Sequence, residues 1–214
     1  MRLSAHPIPS LLLVCASLLA GCGSDEGVDS AAAAEAAYRG LDGAIAKSIQ
    51  LGFDGFNTAS SANIDPQTAM GDVSGELTVS GQVDAGASAN KEMRLRLALT
   101  NDYEDTVAGS DLQISYTTDP DGATDPLLLP ALTLSLRAIP SSTTDPNGTL
   151  TGTLIGDVDM MGDVQGIVTL NLTIAGEIQV DPADGVSIIR VPDTTTITGT
   201  AISNHGTFDV DVTI

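Results

Sequence analysis

Few side chains in this sequence are suited to chemistry. Cysteine occurs twice, at Cys15 and Cys22, and histidine twice, at His6 and His205. Past the N-terminal segment only His205 remains, in "SNHGTF". A lone imidazole beside glycine suits a turn better than a base or ligand, and no neighbour forms a recognisable element of a nucleophilic triad. A histidine-rich metal site needs more than one histidine. Lysine is confined to Lys47 and Lys91, and no glycine-rich phosphate loop carries either. What is plentiful is carboxylate. "DPDGATD" (Asp119 to Asp125) and "NDYEDT" (Asn101 to Thr106) concentrate the oxygen ligands a hard cation prefers. The candidate calcium ligands are Asp119, Asp121 and Asp125. Their spacing departs from the twelve-residue calcium loop and lacks its closing glutamate. Asp-Pro-Asp-Gly is also a strong turn sequence in its own right. The expectation is therefore no resident metal, no cofactor and no catalytic residue: the chain is not expected to be an enzyme.

Cys22 is the exception, because of what precedes it. Arg2 is followed by the apolar run "LLLVCASLLA", Leu11 to Ala20, and then by small residues. A basic start, an apolar core and a small-residue exit form the pattern of a secretory signal. The run is half the length of roughly 20 residues that a bilayer-spanning helix needs. "Leu19-Ala20-Gly21-Cys22" resembles the lipobox of bacterial lipoproteins, a likeness confined to residues 1–22. It implies diacylglycerol on the Cys22 thiol, cleavage before Cys22, and acylation of the new amine. One acyl chain holds only marginally, whereas two or three give a stable tether. The implied location is the bacterial cell envelope, with the protein bound to the membrane through Cys22. Gly23 stands where an aspartate would favour inner-membrane retention in enterobacterial lipoproteins, so the outer membrane is favoured.

With Cys15 removed and Cys22 acylated, no free thiol is left for disulfides, cysteine-rich zinc sites or a cysteine nucleophile. The net charge is −20, with 8 basic against 28 acidic residues, most of them aspartate in turn-like contexts such as "VDPADG". A surface this acidic repels polyanions, which excludes nucleic acid as a partner.

The elements that must carry these residues follow from periodicity. Residues 1–21 read as signal peptide and 22–29 as a polar tether. "SAAAAEAAYRGLDGAIAKSIQLG" reads as one helix over 30–52, capped by Ser30 and stopped at Gly52, with Tyr38, Leu41, Ile45, Ile49 and Phe53 on one stripe. A linker is expected over 53–72. From residue 73 to 214 the apolar period becomes two, the mark of half-buried strands. Examples are Leu77, Val79 and Val83; Met93, Leu95, Leu97 and Leu99; and Val168, Leu170, Leu172 and Ile174. Eight or nine strands with mostly short turns make an antiparallel meander, closed as a barrel or strongly curved, with the helix packed on it in one domain. A membrane-spanning barrel is not expected, because an aromatic content of 3% cannot furnish two girdles.

A short pattern recurs at unequal intervals: "TVSGQV" from Thr78, "TLIGDV" from Thr153, "TIAGEI" from Thr173 and "TITGTA" from Thr196. Each glycine shares the parity of the inward apolar residues. Such glycines mark a bend or a close approach, and the N-terminal helix is the expected neighbour. The function expected is a non-enzymatic structural or partner-binding role on the envelope. The alternative is a carrier that holds a lipid or other apolar small molecule between curved sheet and helix. The sequence names no protein partner.

Overall fold

The computed structural model describes residues 27–84, 89–118, 125–145 and 147–214. One helix, α1 (Ala31–Thr58), precedes ten strands: β1 (Asn63–Met70), β2 (Ser74–Val83), β3 (Lys91–Glu104), β4 (Ile114–Thr117), β5 (Ala131–Arg137), β6 (Gly148–Gly162), β7 (Gly166–Val180), β8 (Ile188–Arg190), β9 (Thr196–Ser203) and β10 (Gly206–Thr213). All pairings are antiparallel and follow the order β1-β2-β3-β4-β6-β7-β9-β10, with β5 bridging β3 and β6 and β8 added to β7. The sheet curls ring-like, and α1 touches both of its terminal strands, β1 and β10. The mainly β fold with one packed helix is the one the alternation implied.

The inward positions form one continuous core shared by helix and sheet. Leu41, Ile45 and Ile49 of α1 meet Leu77, Leu95, Leu97, Leu99, Leu154 and Leu170 of the sheet within a single buried cluster. Each fully buried Leu or Ile contributes about 1.5–3 kcal/mol relative to exposure. On the outer face Thr133, Thr153, Thr173 and Thr198 fall in one register row across β5, β6, β7 and β9.

Three boundaries differ from expectation. Val28 belongs to the fold rather than to the tether 22–29: its side chain is buried, and its carbonyl accepts a 2.5 Å hydrogen bond from Ser203 Oγ. The helix begins as expected, with Ser30 Oγ accepting from Ala33 N at 3.2 Å, but it runs past Gly52 to Thr58. Gly52 does not stop the helix because it faces the sheet, where a Cβ would lie 3.1 Å from Leu95 Cδ1. The linker 53–72 holds the last turn of α1 and all of β1, the tenth strand. That strand buries only Ile64 and carries a register shift between Ile64 and Gln67, around Pro66, so no alternation announces it.

The recurring glycines do make close approaches, but to neighbouring strands rather than to the helix. A Cβ on Gly199 would stand 2.2 Å from Asn171 O, and one on Gly156 2.6 Å from Pro130 Cα. Both glycines have φ near +146°, a conformation that other residues rarely adopt.

Candidate functional site

Two clusters of charged and phenolic side chains join α1 to the sheet. In the first, Asp105 follows β3 and is buried. Its Oδ1 accepts from Lys47 Nζ at 2.5 Å and from Asp72 N at 2.9 Å, and its Oδ2 accepts from Tyr103 OH at 2.6 Å. Lys47 Nζ also donates to Asp72 Oδ1 at 2.9 Å and Met70 O at 3.1 Å, and it lies 5.6 Å from the centre of the Tyr103 ring. Gly43 makes room for this: a Cβ there would be 2.3 Å from Asp105 Oδ2. Burial pulls the Lys47 ammonium down, but its bonds to Asp105 and Asp72 outweigh that and leave its pKa above the ordinary value. Burial first, and then Asp105, push the Tyr103 phenol far above its usual range. The cluster thus ties α1, through Lys47, to the end of β3 and to the β1–β2 turn.

In the second cluster the Arg190 guanidinium grips Asp42 with both arms, Nη1 to Oδ1 and Nη2 to Oδ2, each at 2.7 Å. Tyr38 OH donates to the same Asp42 Oδ1 at 2.9 Å. Burial opposes the Arg190 charge, yet Asp42 more than offsets it and the pKa rises. Tyr38 is raised by burial and then by Asp42. Nearby, Tyr116 OH donates to Ala37 O at 2.6 Å, and burial raises its pKa as well. Arg190, Lys47, Ile49 and Ile188 line an open cleft of about 320 Å³ between α1 and β8. Inside the sheet, by contrast, the apolar space among Leu41, Leu97, Leu99, Leu154 and Leu170 has no room for a water-sized sphere. On the outer face Arg94 and Arg96 have no ion-pair partner among the described residues and border a groove with Gln82 and Thr133. That groove has the hydrogen-bond donors an oxyanion would need.

Cys22, Asp119 and Asp121 lie outside the described residues. Asp125 is exposed; its Oδ1 accepts from Leu127 N at 2.9 Å, and its carbonyl accepts from Leu128 N at 3.0 Å. Those bonds are the work of a turn residue. Among the described residues no group of three or more His, Cys, Asp or Glu side chains converges as a metal site. "NDYEDT" is not an open bowl of ligands, because Asp105 turns inward to Lys47 and Tyr103. His205 sits exposed in the β9–β10 turn, its backbone N donating to Ser203 Oγ at 3.0 Å.

Sequence reading missed Asp42, Lys47, Asp105 and Arg190. The local signal was modest: charged Asp42 and Lys47 flanking a glycine-alanine stretch of helix. Among the described residues no helix is long and apolar enough to cross a membrane. Fold and clusters together define an antiparallel β domain wrapped on a single helix and joined to it by partly buried ion pairs. Comparisons of the chain with protein-family models, curated proteins and solved structures found no match.

Proposed function

We propose that this chain is a bacterial envelope lipoprotein, held on the membrane by acyl chains on Cys22, whose β domain has a non-enzymatic structural or partner-binding role. The observation that carries the non-enzymatic reading is where its reactive groups go. Lys47, Asp105, Asp42, Arg190 and all three tyrosines of the sequence engage one another or the backbone to fasten α1 to the sheet. The lipobox-like "LAGC" supports the anchor, and Gly23 after it favours the outer membrane. Cells expressing the full chain and its Cys22→Ser variant should be labelled with palmitate and fractionated. The expected result is label and membrane retention for the parent and neither for the variant; label on the variant overturns the reading.

A second reading, a carrier for a lipid or other apolar ligand, draws support from the cleft beside Ile49 and Ile188 and none from the filled space within the sheet. Native mass spectrometry of the purified protein tests it. A bound apolar molecule displaced by an Ile188→Asp substitution supports the carrier, and a ligand-free mass opposes it.

A further inference from the structure

The strand pairings place the β1–β2, β6–β7 and β9–β10 turns at one rim of the sheet. Tyr103 pairs with Tyr116, Tyr116 with Met160 and Met160 with Gly166, while Ser74 pairs with Glu104 and Ser203 with Gly206. The chain enters the fold at this rim. Gly27 lies between two of its turns, where an added Cβ would stand 2.9 Å from His205 Nε2 and 3.5 Å from Gln165 O, and Val28 is pinned there by Ser203. Cys22 is five residues before Gly27, so its Cα can stand no more than about 18 Å from that point.

The outer face beside this entry carries a group of apolar side chains, where the rest of the outer sheet, Ile155 of β6 apart, is largely threonine and charge. Met161 on β6, Ile167 on β7 and Ile202 on β9 are 63%, 59% and 43% exposed. Asp159 pairs with Ile167 and Thr169 with Ile202, so the three lie on successive diagonals, close enough for long side chains to meet. Met70 and Val73, at the β1–β2 turn of the same rim, are exposed as well. Leaving such side chains in water costs free energy that a lipid interface would recover.

We propose that this rim, with Met161, Ile167 and Ile202 at its centre, lies against the bilayer surface, so that the domain is oriented and not merely leashed. The proposal rests on the acylation of Cys22, which supplies the nearby membrane. The lipid it fits is zwitterionic, because Asp157 and Asp159 share the outer face of β6 with Met161 and would be repelled by anionic headgroups.

The test uses the absence of any other thiol from the acylated chain. Met161→Cys, Ile167→Cys and Ile202→Cys variants of the full chain carry a polarity-sensitive dye, beside Val186→Cys as a reference. Val186 is 79% exposed in the β7–β8 connection, at the opposite end of β7. Each is placed in phosphatidylcholine vesicles containing a lipid-borne quencher, and intact mass reports acylation. The expected result is acylated protein, severalfold stronger quenching at the three rim positions than at position 186, and weaker rim quenching when phosphatidylglycerol is added. Equal quenching at all four positions in acylated protein overturns the oriented rim and leaves the anchor standing. Unacylated protein that stays off the vesicles overturns the anchor, and the rim contact with it.

Discussion

Replacing Gly43 by alanine should destabilise this protein, although the same change in an ordinary helix interior is favourable by about 1 kcal/mol. The reason is the position of Asp105. An alanine Cβ at position 43 would stand 2.3 Å from its Oδ2, 2.9 Å from its Cγ and 3.0 Å from its Cβ. The carboxylate cannot swing aside freely, because Lys47, Tyr103 and Asp72 N hold it from three directions. Relief requires either a shift of α1 from the sheet or the loss of a hydrogen bond to a charged group. Overpacking costs about 1–3 kcal/mol and such a bond about 1.5–3 kcal/mol. Set against the helix-propensity gain, the net loss is about 0.5–2 kcal/mol, or roughly 1–8 °C in melting temperature for a chain of this size. Urea titration and calorimetry of the parent, Gly43→Ala and Ala46→Gly read it directly. Ala46 is on the exposed face of the helix, and its replacement should cost about 1 kcal/mol through helix propensity alone. A Gly43→Ala protein as stable as the parent, or more so, refutes the lock.

Three further outcomes follow from the same geometry. Tyr38, Tyr103 and Tyr116 are the only tyrosines, all are buried, and each has its pKa raised in the fold. A folded pKa above the unfolded value of about 10 means stability is held below that pH and lost as pH rises beyond it. Tyrosinate absorbance should therefore appear together with alkaline unfolding; free titration near pH 10 with circular dichroism unchanged would contradict this. Arg190→Met leaves the partly buried Asp42 without its cation and should cost about 1.5–3 kcal/mol by denaturant titration, with much of it recovered in the double variant Asp42→Leu/Arg190→Met. Gly199→Ala forces a side chain toward Asn171 O at a φ of +146° and should lower stability by more than about 2 kcal/mol, whereas a neutral result would show that the backbone there relaxes without cost.

How much of this was legible depended on whether the cause was local. Alternation along Met93, Leu95, Leu97 and Leu99, or Leu132, Leu134 and Leu136, found the strands and their buried faces, since a half-buried strand writes its period into the sequence. Ser30 as helix cap was equally local. β1 was hidden because an edge strand with Pro66 and one buried residue has no period to read. The helix end was hidden because Gly52, which reads as a stop signal, serves close packing on Leu95, as Gly55 in the next turn does on Ile64. The ion-pair locks join residues 58 and 148 positions apart, and nothing in one sequence pairs Lys47 with Asp105 or Asp42 with Arg190. The candidate calcium ligands illustrate the converse: a dense run of aspartates was readable, but Asp125 serves its own turn.

The central claim is that Cys22 ties this domain to a membrane, and the mass of the N-terminal peptide from protein extracted out of its native membrane tests it most directly. The expected peptide begins at Cys22 and carries a thioether-linked diacylglycerol together with an amide-linked acyl chain. An unmodified Cys22 thiol, or a chain that still includes Leu11 to Gly21, would contradict it.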